Sequence, residues 1–227
     1  MIVRLHNLSA RAPKLADVDA VGELMALCNA FDEAGSADED GRRHELQVVW
    51  QASGFNIARD AWVIVNRREQ IVGYGDSRDI AEGCFGVYTY VHPEYRGRGI
   101  ATLLLRLIET RARERMLDMD ADLGITMQAV ASSSNNVARH LFEREGYAHV
   151  HSFWRVLVEM REVPAMEPQG SFKFDFVVDA NAWTRARHLR EQVGMYSAYQ
   201  YHVYEKMLRC GRQFQADILE ADMLTSP

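Results

Sequence analysis

The stretch YVHPEYRGRGIATLLLRLIE, residues 90–109, constrains the fold more than any other part of this sequence. It continues from CFGVYTYV, whose aromatic and β-branched residues are typical of a β-strand, and it ends in apolar residues at helical spacing. Between strand and helix, Pro93 prevents the strand from continuing, and Gly97 and Gly99 leave the main chain open to a close ligand. The first turn of a helix exposes N–H groups and carries partial positive charge, so this connection is suited to bind a diphosphate.

Arg96 and Arg98 alternate with the two glycines and would add positive charge to such a site. We call residues 96–102 the arginine–glycine turn. The plain alternative is an ordinary strand–helix connection with solvated arginines. A P-loop is excluded because the chain has no G-x-x-x-x-G-K-[ST] run, and a Rossmann fingerprint fits poorly because Thr102 stands where its third glycine belongs.

Length and composition limit the classes of protein to consider. The 227 residues suit one large domain, or one domain with a smaller attachment, and 48% hydrophobic with 26% charged residues indicate a globular chain. A net charge of −6 argues against general nucleic-acid binding, and no apolar run is long enough to cross a bilayer. The first residues lack the apolar segment of a secretory signal, and the three cysteines have no metal-type spacing. We therefore expect a cytoplasmic protein without a metal site.

The spacing of apolar residues predicts two helices, three strands, and then helix, strand, helix and strand. The helices are DVDAVGELMALCNAFDEAG, RRHELQVVWQA, the segment after the arginine–glycine turn, and SSSNNVARHLFEREG. The strands are AWVIVN, QIVGYGDS, CFGVYTYV, LGITMQAVA and SFWRVLVEM. This order predicts an α/β (α+β) fold with its sheet in the middle of the domain. REVPAMEPQGS, with two prolines and a glycine, is predicted to be a linker.

VHPEYRGRGIA and NNVARHLFEREGY are two motifs that occur in this order along the chain. The first matches V-x-P-x-[YF] followed by the R/Q-x-x-G-x-G/A signature, and so resembles the GNAT family of acyl-CoA N-acyltransferases. The second is similar to that family's N-x-x-A-x-x-L-[YF]-x-x-x-G-[FY], with these residues in register: Asn135, Ala138, Leu141, Phe142, Gly146 and Tyr147. The resemblance covers roughly residues 1–161. It implies a GNAT-like mixed, mainly antiparallel central sheet flanked by helices.

The resemblance also implies where acetyl-CoA, the co-substrate, would bind. In the family it lies in a V-shaped opening between the strand before the signature and the strand after the following helix. Carried over, main-chain groups of the first strand would pair with the pantetheine arm, and N–H groups of the arginine–glycine turn would bind the diphosphate, assisted by one of its arginines. An asparagine on the next helix would contact the pantetheine region. The implied cofactor-binding residues are Thr89, Tyr90, Val91, Arg96, Gly97, Arg98, Gly99, Ile100, Ala101, Thr102 and Asn135.

The resemblance implies direct attack of an amine on the thioester, with a backbone N–H near Val91 stabilising the oxyanion. The family often has a tyrosine, acting as general acid, at the position of Phe142, and Tyr147 is expected to pack in the core instead. No general base can be assigned, and the catalytic residues stay open. Packing or solvated roles are favoured over catalysis for Glu82, Tyr88, His92 and Cys84. The core is the expected place for Trp50, Trp62 and Trp154.

An internal repeat marks the C-terminal part of the chain. ARHLFEREGY, from Ala138, recurs as ARHLREQVGM from Ala186 with six of ten positions identical, and the same offset aligns FDFVV with TMQAV. Some family members similar to mycothiol synthase carry tandem domains, and chance helix similarity is the alternative. We predict a GNAT domain over 1–161, a linker over 162–170, and a degenerate partial repeat (strand–helix–strand) over 171–227. A half-domain cannot bury its own apolar face, so the repeat should dock on the first domain or on a partner chain.

Taken together, the residues and the resemblance predict an acetyl-CoA-dependent N-acetyltransferase acting on a primary amine of a small molecule or a protein. The alternatives are a non-catalytic acyl-CoA-binding or regulatory domain, and an interaction module without ligand. The acceptor pocket would include FDEAGSADEDGRRHE, residues 31–45, whose acidity favours a cationic amine. We expect a monomer or homodimer, with no nucleic-acid or membrane partner.

Overall fold

A computed structural model describes most of the chain. The described residues are 3–5, 7–33, 39–160, 172–179 and 196–212, and the described side chains are those of 7–32, 41–156 and 199–212. Within these parts no helix is both long and apolar enough to cross a membrane.

Within the described parts of the chain, nine strands form one mixed sheet, which confirms the expected α/β architecture. The strands are β1 (Val3–Leu5), β2 (Leu8–Arg11), β3 (Ala61–Val65), β4 (Ile71–Ala81), β5 (Cys84–Val91), β6 (Ile125–Ser132), β7 (Ala148–Met160), β8 (Phe172–Asp179) and β9 (Tyr196–Arg209). Their order across the sheet is β1-β2-β3-β4-β5-β6-β9-β7-β8. Only the β5–β6 pair is parallel among the described pairs, so the sheet is mainly antiparallel, as predicted.

Five helices cover the two faces of this sheet. They are α1 (Val18–Glu33), α2 (Glu39–Gln51), α3 (Ile57–Asp60), α4 (Ile100–Met116) and α5 (Asn136–Arg144). α1 and α2 pack on one face against alternate residues of β3 and β4, and we call this the front face. α4 and α5 pack on the opposite, rear face against β5 and β6. The sheet is therefore the middle layer of a three-layer domain.

The apolar stripe predicted for the helix after the arginine–glycine turn is buried as expected. Leu104, Leu105 and Ile108 are each at most 2% exposed, and Ala112 is fully buried. Burying a leucine or isoleucine side chain contributes about 1.5–3 kcal/mol. α4 is thereby fixed along the rear face, and its first turn is held next to the end of β5.

β9 corrects the predicted end of the domain at residue 161. It lies between β6 and β7 and is antiparallel to both, and its Tyr201, Val203 and Tyr204 are at most 3% exposed. A domain ending at 161 would lack the strand that joins β6 to β7. Residues 196–209 therefore belong to the central sheet and are not part of a separate unit.

The rest of the predicted repeat is only partly described. β8 contains FDFVV and pairs with β7 at the sheet edge, so a strand lies where the repeat placed one. The linker 162–170 and the repeated helix 186–195 lie outside the described residues. The duplication itself stays a prediction.

Candidate functional site

The arginine–glycine turn joins the end of β5 to the start of α4. Pro93 begins a short 3-10 turn, Pro93–Tyr95, which ends the strand, and Gly99 is the N-cap of α4. Gly97 and Gly99 have φ angles of 77° and 79°, a left-handed conformation that favours glycine, and a Cβ at either position would meet nothing within 4 Å. The first helical bond runs from the Leu103 N–H to the Gly99 carbonyl at 3.0 Å, so the preceding N–H groups of α4 lie ahead of the helical ladder.

Beside this turn, β5 and β6 separate. They pair only from Cys84 opposite Thr126 to Val87 opposite Ala129, although both strands continue beyond that point. Beyond Val87, β5 stays paired with β4 on its other side. One edge of β5 is therefore open where it approaches the arginine–glycine turn, as the V-shaped opening requires.

Strand geometry decides which main-chain groups reach this opening. The His92 N–H donates to the Val72 carbonyl of β4 at 3.0 Å. Because main-chain groups of successive strand residues point to opposite edges, Tyr90 also directs its N–H and C=O toward β4, while Thr89 and Val91 direct theirs into the opening. This corrects the prediction for Tyr90, whose main chain belongs to the sheet and whose side chain lines the cleft.

The opening forms part of a cleft of about 470 Å³. Ten of the eleven implied cofactor-binding residues line it, from Thr89 through the arginine–glycine turn to Asn135, and Arg98 is the exception. The cleft passes between the separated strands, so the rear-face helices α4 and α5 border one part of it and the front-face helices α1 and α2 border the other.

Both arginines of the turn have partners within the protein, and their predicted role at the diphosphate stays a prediction. The Arg96 guanidinium donates to both carboxylate oxygens of Asp32 at 2.6 and 3.1 Å, and its Nε donates to the Val91 carbonyl at 3.2 Å. Arg98 is exposed, donates to the Glu94 carbonyl at 3.2 Å and lies over the Tyr95 ring. Arg96 therefore ties α1 to the end of β5, and neither guanidinium is directed at the first turn of α4.

Sequence reasoning missed Arg144, which lies beside that turn. Its Nη2 donates to the Thr102 Oγ1 at 2.9 Å, and Arg144 lines the cleft at the start of α4. Arg144 is the last residue of α5, and its position in the sequence gave no signal of proximity to Thr102. The positive charge near the exposed N–H groups thus comes from α5.

Asn135 lines the cleft, as predicted, and its side chain forms hydrogen bonds within the protein. Its Oδ1 accepts from the Ala138 N–H at 3.0 Å and so caps α5, and its Nδ2 donates to Asp32 at 3.0 Å. Asp32 consequently connects α1 with both the arginine–glycine turn and the start of α5.

Phe142 is buried and lines the cleft, in ring contact with Tyr147 and Tyr204. The Tyr147 hydroxyl lies 3.9 Å from the Met127 sulfur, and burial raises the pKa of Tyr147 well above its usual value. Tyr147 therefore packs in the core, as expected.

Of the four remaining residues considered for catalysis, one lines the cleft. Cys84 is the first residue of β5 and Glu82 lies in the turn before it, both at the opposite end of that strand from the arginine–glycine turn, and burial raises the pKa of Cys84 to about 11. His92 accepts from the Glu94 N–H at 3.3 Å. Of the residues weighed for catalysis, Tyr88 lines the cleft, with the Arg78 guanidinium 3.8 Å from its ring centroid.

Trp50 and Trp62 agree with a packing role, whereas Trp154 is only partly buried and belongs to none of the described core clusters. Trp50 is 7% exposed and donates from Nε1 to the Tyr74 hydroxyl at 3.0 Å, and Trp62 packs against two buried clusters.

The front-face part of the cleft is lined by arginine and tyrosine side chains. Arg42 of α2 and Arg155 of β7 both line the cleft, together with Tyr88, Tyr90 and Tyr201. Residues 34–38 of the acidic segment and the side chains of 33, 39 and 40 lie outside the described part, and among the described side chains of that segment Asp32 and Arg42 line the cleft. The sequence could not place Arg155 near Arg42, because β9 separates β7 from the strands that precede it.

The comparisons with known proteins agree with this geometry. Residues 24–147, more than half of the chain, match the model of the acetyltransferase (GNAT) family. A GCN5-related N-acetyltransferase from Sphaerobacter thermophilus has a TM-score of 0.68 at 18% identity, over 93% of this chain and 99% of that chain. A putative acetyltransferase from Pyrococcus horikoshii has a TM-score of 0.63 at 11% identity, over 95% of this chain and 94% of that one.

A third solved structure, yncA from Salmonella typhimurium with its cofactor acetyl-CoA, has a TM-score of 0.56 at 16% identity, over 92% of this chain and 99% of that chain. No curated protein matches the sequence. The similarity to mycothiol synthase-like tandem proteins stays a prediction. The family match spans the arginine–glycine turn and α5, and it confirms the predicted acyltransferase class with acetyl-CoA as co-substrate. This chain belongs to the GNAT family of acetyltransferases.

Proposed function

We propose that this protein is an N-acetyltransferase that moves the acetyl group of acetyl-CoA to a primary amine by direct attack on the thioester. One observation carries the proposal: the open edge of β5 and the exposed N–H groups of the arginine–glycine turn lie in the same cleft. A strand edge suits the amide-bearing pantetheine arm, and a helix N-terminus suits a diphosphate.

The binding roles follow from the directions of the main-chain groups. Thr89 and Val91 would pair with pantetheine amides, and the N–H groups between Gly97 and Thr102 would bind the diphosphate. Arg144 lies close enough to Thr102 to add charge to that site. Both left-handed glycines support this arrangement, because the space where a Cβ would lie is open and a ligand can approach the main chain there.

The proposed transfer needs a neutral amine and a stabilised oxyanion. The amine nitrogen forms a bond to the acetyl carbon, the carbon–sulfur bond breaks, its electron pair leaves on sulfur as the thiolate, and the amine proton passes to solvent. The Val91 carbonyl already accepts from Cys28 Sγ at 3.3 Å and from Arg96 Nε at 3.2 Å, and these bonds hold the end of β5, while the N–H groups of Thr89 and Val91 point into the opening. With Val91 pairing to the pantetheine arm, the N–H of Thr89, which lies further from the diphosphate along β5 and also points into the opening, is our choice for the oxyanion donor.

Phe142 leaves the departing thiolate without a tyrosine hydroxyl. A thiol with a pKa of about 8.5 is a tolerable leaving group near neutral pH, so the reaction can proceed more slowly without this proton donor. A general acid contributes about 100-fold or more to such reactions. Phe142 is also the observation that favours a second candidate function, a non-catalytic acyl-CoA-binding domain.

Two measurements test the proposal in sequence. Titration calorimetry should detect binding of both acetyl-CoA and free CoA, and a thiol-release assay across primary amines should find acceptors that depend on acetyl-CoA. Binding with no thiol release for any amine would favour the non-catalytic alternative. The absence of heat at millimolar concentrations of both ligands would contradict both functions.

We further propose a cytoplasmic location and a monomeric or homodimeric state. All three cysteines are free thiols, which suits a reducing compartment. Light scattering would give the oligomeric state.

A further inference from the structure

The opening between β5 and β6 narrows to an apex at the point where the two strands become paired. The last pair is Val87 opposite Ala129, and the next residues along the two strands are Tyr88 and Val130. Paired strands lie about 4.8 Å apart, which leaves no room for a carbon chain between them. A ligand that follows the open edge of β5 from the arginine–glycine turn to this apex must therefore leave the plane of the sheet, toward the front or the rear face.

On the front face, the apex is bordered by large side chains that belong to one cluster. Tyr88 and Val130 line the cleft and pack against a buried cluster that contains Tyr201 and Phe153, and Tyr201 lines the cleft as well. Val87 packs in the rear-face cluster, so Tyr88, the next residue of the strand, points to the front. We call Tyr88, Val130 and Tyr201 the apex cluster.

Tyr88 is fixed between two neighbours. The Arg78 guanidinium lies 3.8 Å from its ring centroid, and a Cβ at Gly86 would lie 3.0 Å from its Cε2, so the ring rests on the main chain of Gly86. Arg78 itself donates to Glu45 at 3.1 Å and to Asp76 at 3.0 and 3.2 Å. Burial alone would raise the pKa of Glu45, but Arg78 and a second guanidinium outweigh it and hold that pKa below its usual value. Glu45 is therefore ionised near neutral pH and keeps Arg78 over the ring.

The other side chains around the apex are also held by packing. The Tyr201 ring is 3% exposed and stacks on Phe153, with centroids 5.3 Å apart and an interplanar angle of 16°. On the rear face, Phe142 and Val87 line the cleft and are at most 5% exposed. A packed interior accommodates an added methylene only at a cost in free energy. The described side chains thus form a firm end to the cleft on both faces of the sheet.

We propose that the apex cluster sets the length of the acyl chain, so that the protein takes acetyl-CoA and discriminates against longer acyl-CoA thioesters; this rests on the function proposed above. The pantetheine arm runs along β5 from the diphosphate toward the apex, and its thioester carbonyl lies at the N–H of Thr89. The acyl chain continues beyond that carbonyl and reaches Tyr88 one residue further along the strand, about 3.3 Å away. A methyl group ends there, whereas each further methylene has to displace a packed side chain.

Titration calorimetry with a series of CoA thioesters tests this proposal and needs no knowledge of the acceptor. Free CoA, which has no acyl group, is the reference, and acetyl-, propionyl- and butyryl-CoA are compared with it. One methylene in an apolar pocket is worth about 10- to 200-fold, so propionyl-CoA should bind more weakly than acetyl-CoA by about that factor, and butyryl-CoA more weakly still. Equal affinities across the three thioesters would overturn the proposal, because a longer chain would then have room in the cleft.

Variants show whether the apex cluster is the cause. Val130→Ala replaces an isopropyl group at the apex with a methyl group, so the affinity for propionyl-CoA relative to acetyl-CoA should rise by about 10-fold or more. Tyr88→Leu shortens a second member of the cluster and should raise the same ratio. No rise in either variant would contradict the proposed role.

Val203→Ala is the matched control. Val203 is opposite Val130 on β9, is 1% exposed and belongs to the same buried cluster, but it does not line the cleft. This variant loosens the packing without opening the apex, so its ratio of affinities should equal that of the wild type. A rise as large as that of Val130→Ala would mean that loosened packing, and not the apex itself, sets the chain length.

Failure of this proposal is distinguishable from failure of the proposed function. If free CoA binds and all three thioesters bind equally, the limit on chain length is refuted while the CoA site stands. If neither free CoA nor acetyl-CoA gives heat at millimolar concentration, the proposed function itself is refuted.

Discussion

Replacing Gly99 with alanine separates the role of this residue in folding from its role in ligand binding. Gly99 has a φ of 79°, and a Cβ there would meet nothing within 4 Å, so the cost within the protein is conformational rather than steric. A non-glycine residue in the left-handed region costs about 1–2 kcal/mol. For a chain of this size that corresponds to a fall in Tm of about 2–8 °C.

The same methyl group would have a larger effect on CoA. It would project from the N-cap of α4 into the cleft, where the proposed diphosphate approaches the main chain. Disturbing one charge-assisted hydrogen bond costs about 1.5–3 kcal/mol, which weakens binding by about 10- to 100-fold. Titration calorimetry with CoA measures this loss directly.

Gly54→Ala is the matched control. Gly54 also has a positive φ, of 91°, and open space at the Cβ position. It lies in the connection between α2 and α3, outside the cleft. Differential scanning fluorimetry should show a similar fall in Tm for both variants, and only Gly99→Ala should lose CoA affinity. Equal CoA affinities in the wild type and both variants would refute the reasoning, as would an equal loss in both variants.

Three further predictions concern the sheet, the buried charges and the thiols. A fragment of residues 1–161 lacks β9 and should show no cooperative thermal transition by circular dichroism; a transition within a few degrees of the full chain would restore the original domain boundary. Because the pKa of Glu45 lies below its usual value, its charge contributes stability above about pH 4.3 that is lost as the pH falls through the folded-state pKa. Glu45→Gln should therefore lower Tm by about 3–12 °C at neutral pH, with the difference closing below about pH 4, and a pH-independent difference would contradict this. Burial raises the pKa of Cys28 and Cys84 to about 11, while Cys210 is exposed. Ellman's reagent near neutral pH should therefore react rapidly with one thiol in the folded protein and with three in denaturant. Rapid reaction of all three thiols in the folded protein would be inconsistent with the structure.

The arginine–glycine turn and the helices around it could be predicted because their signals are local. Pro93 and the two glycines fix the backbone of the turn by their own conformational preferences, and the apolar stripe of α4 follows from helical spacing. The helix α5 was likewise predicted from its capping residue and its terminal glycine. Such features need no knowledge of distant residues.

The position of β9 could not be predicted from local signals. Its Tyr199, Tyr201 and Val203 do alternate in the manner of a strand facing the core, and this pattern could have identified the strand itself. Its insertion between β6 and β7 depends on pairing with residues far away in sequence, which no short window reveals. The N-terminal strands β1 and β2 were missed for a different reason, because each is only three or four residues long.

In the site, the main-chain elements were predicted better than the side chains. The open edge of β5 and the exposed first turn of α4 follow from the motif. The pairing of Arg96 with Asp32 and the approach of Arg155 to the cleft depend on which helices and strands become neighbours. That is decided by the tertiary packing of α1 and by the insertion of β9.

A crystal structure of the protein with acetyl-CoA tests the central claim most directly. The account predicts hydrogen bonds from pantetheine to the main chain of Thr89 and Val91, with the diphosphate against the N–H groups of residues 97–102. A diphosphate held elsewhere, or a pantetheine arm that does not follow the open edge of β5, would contradict it.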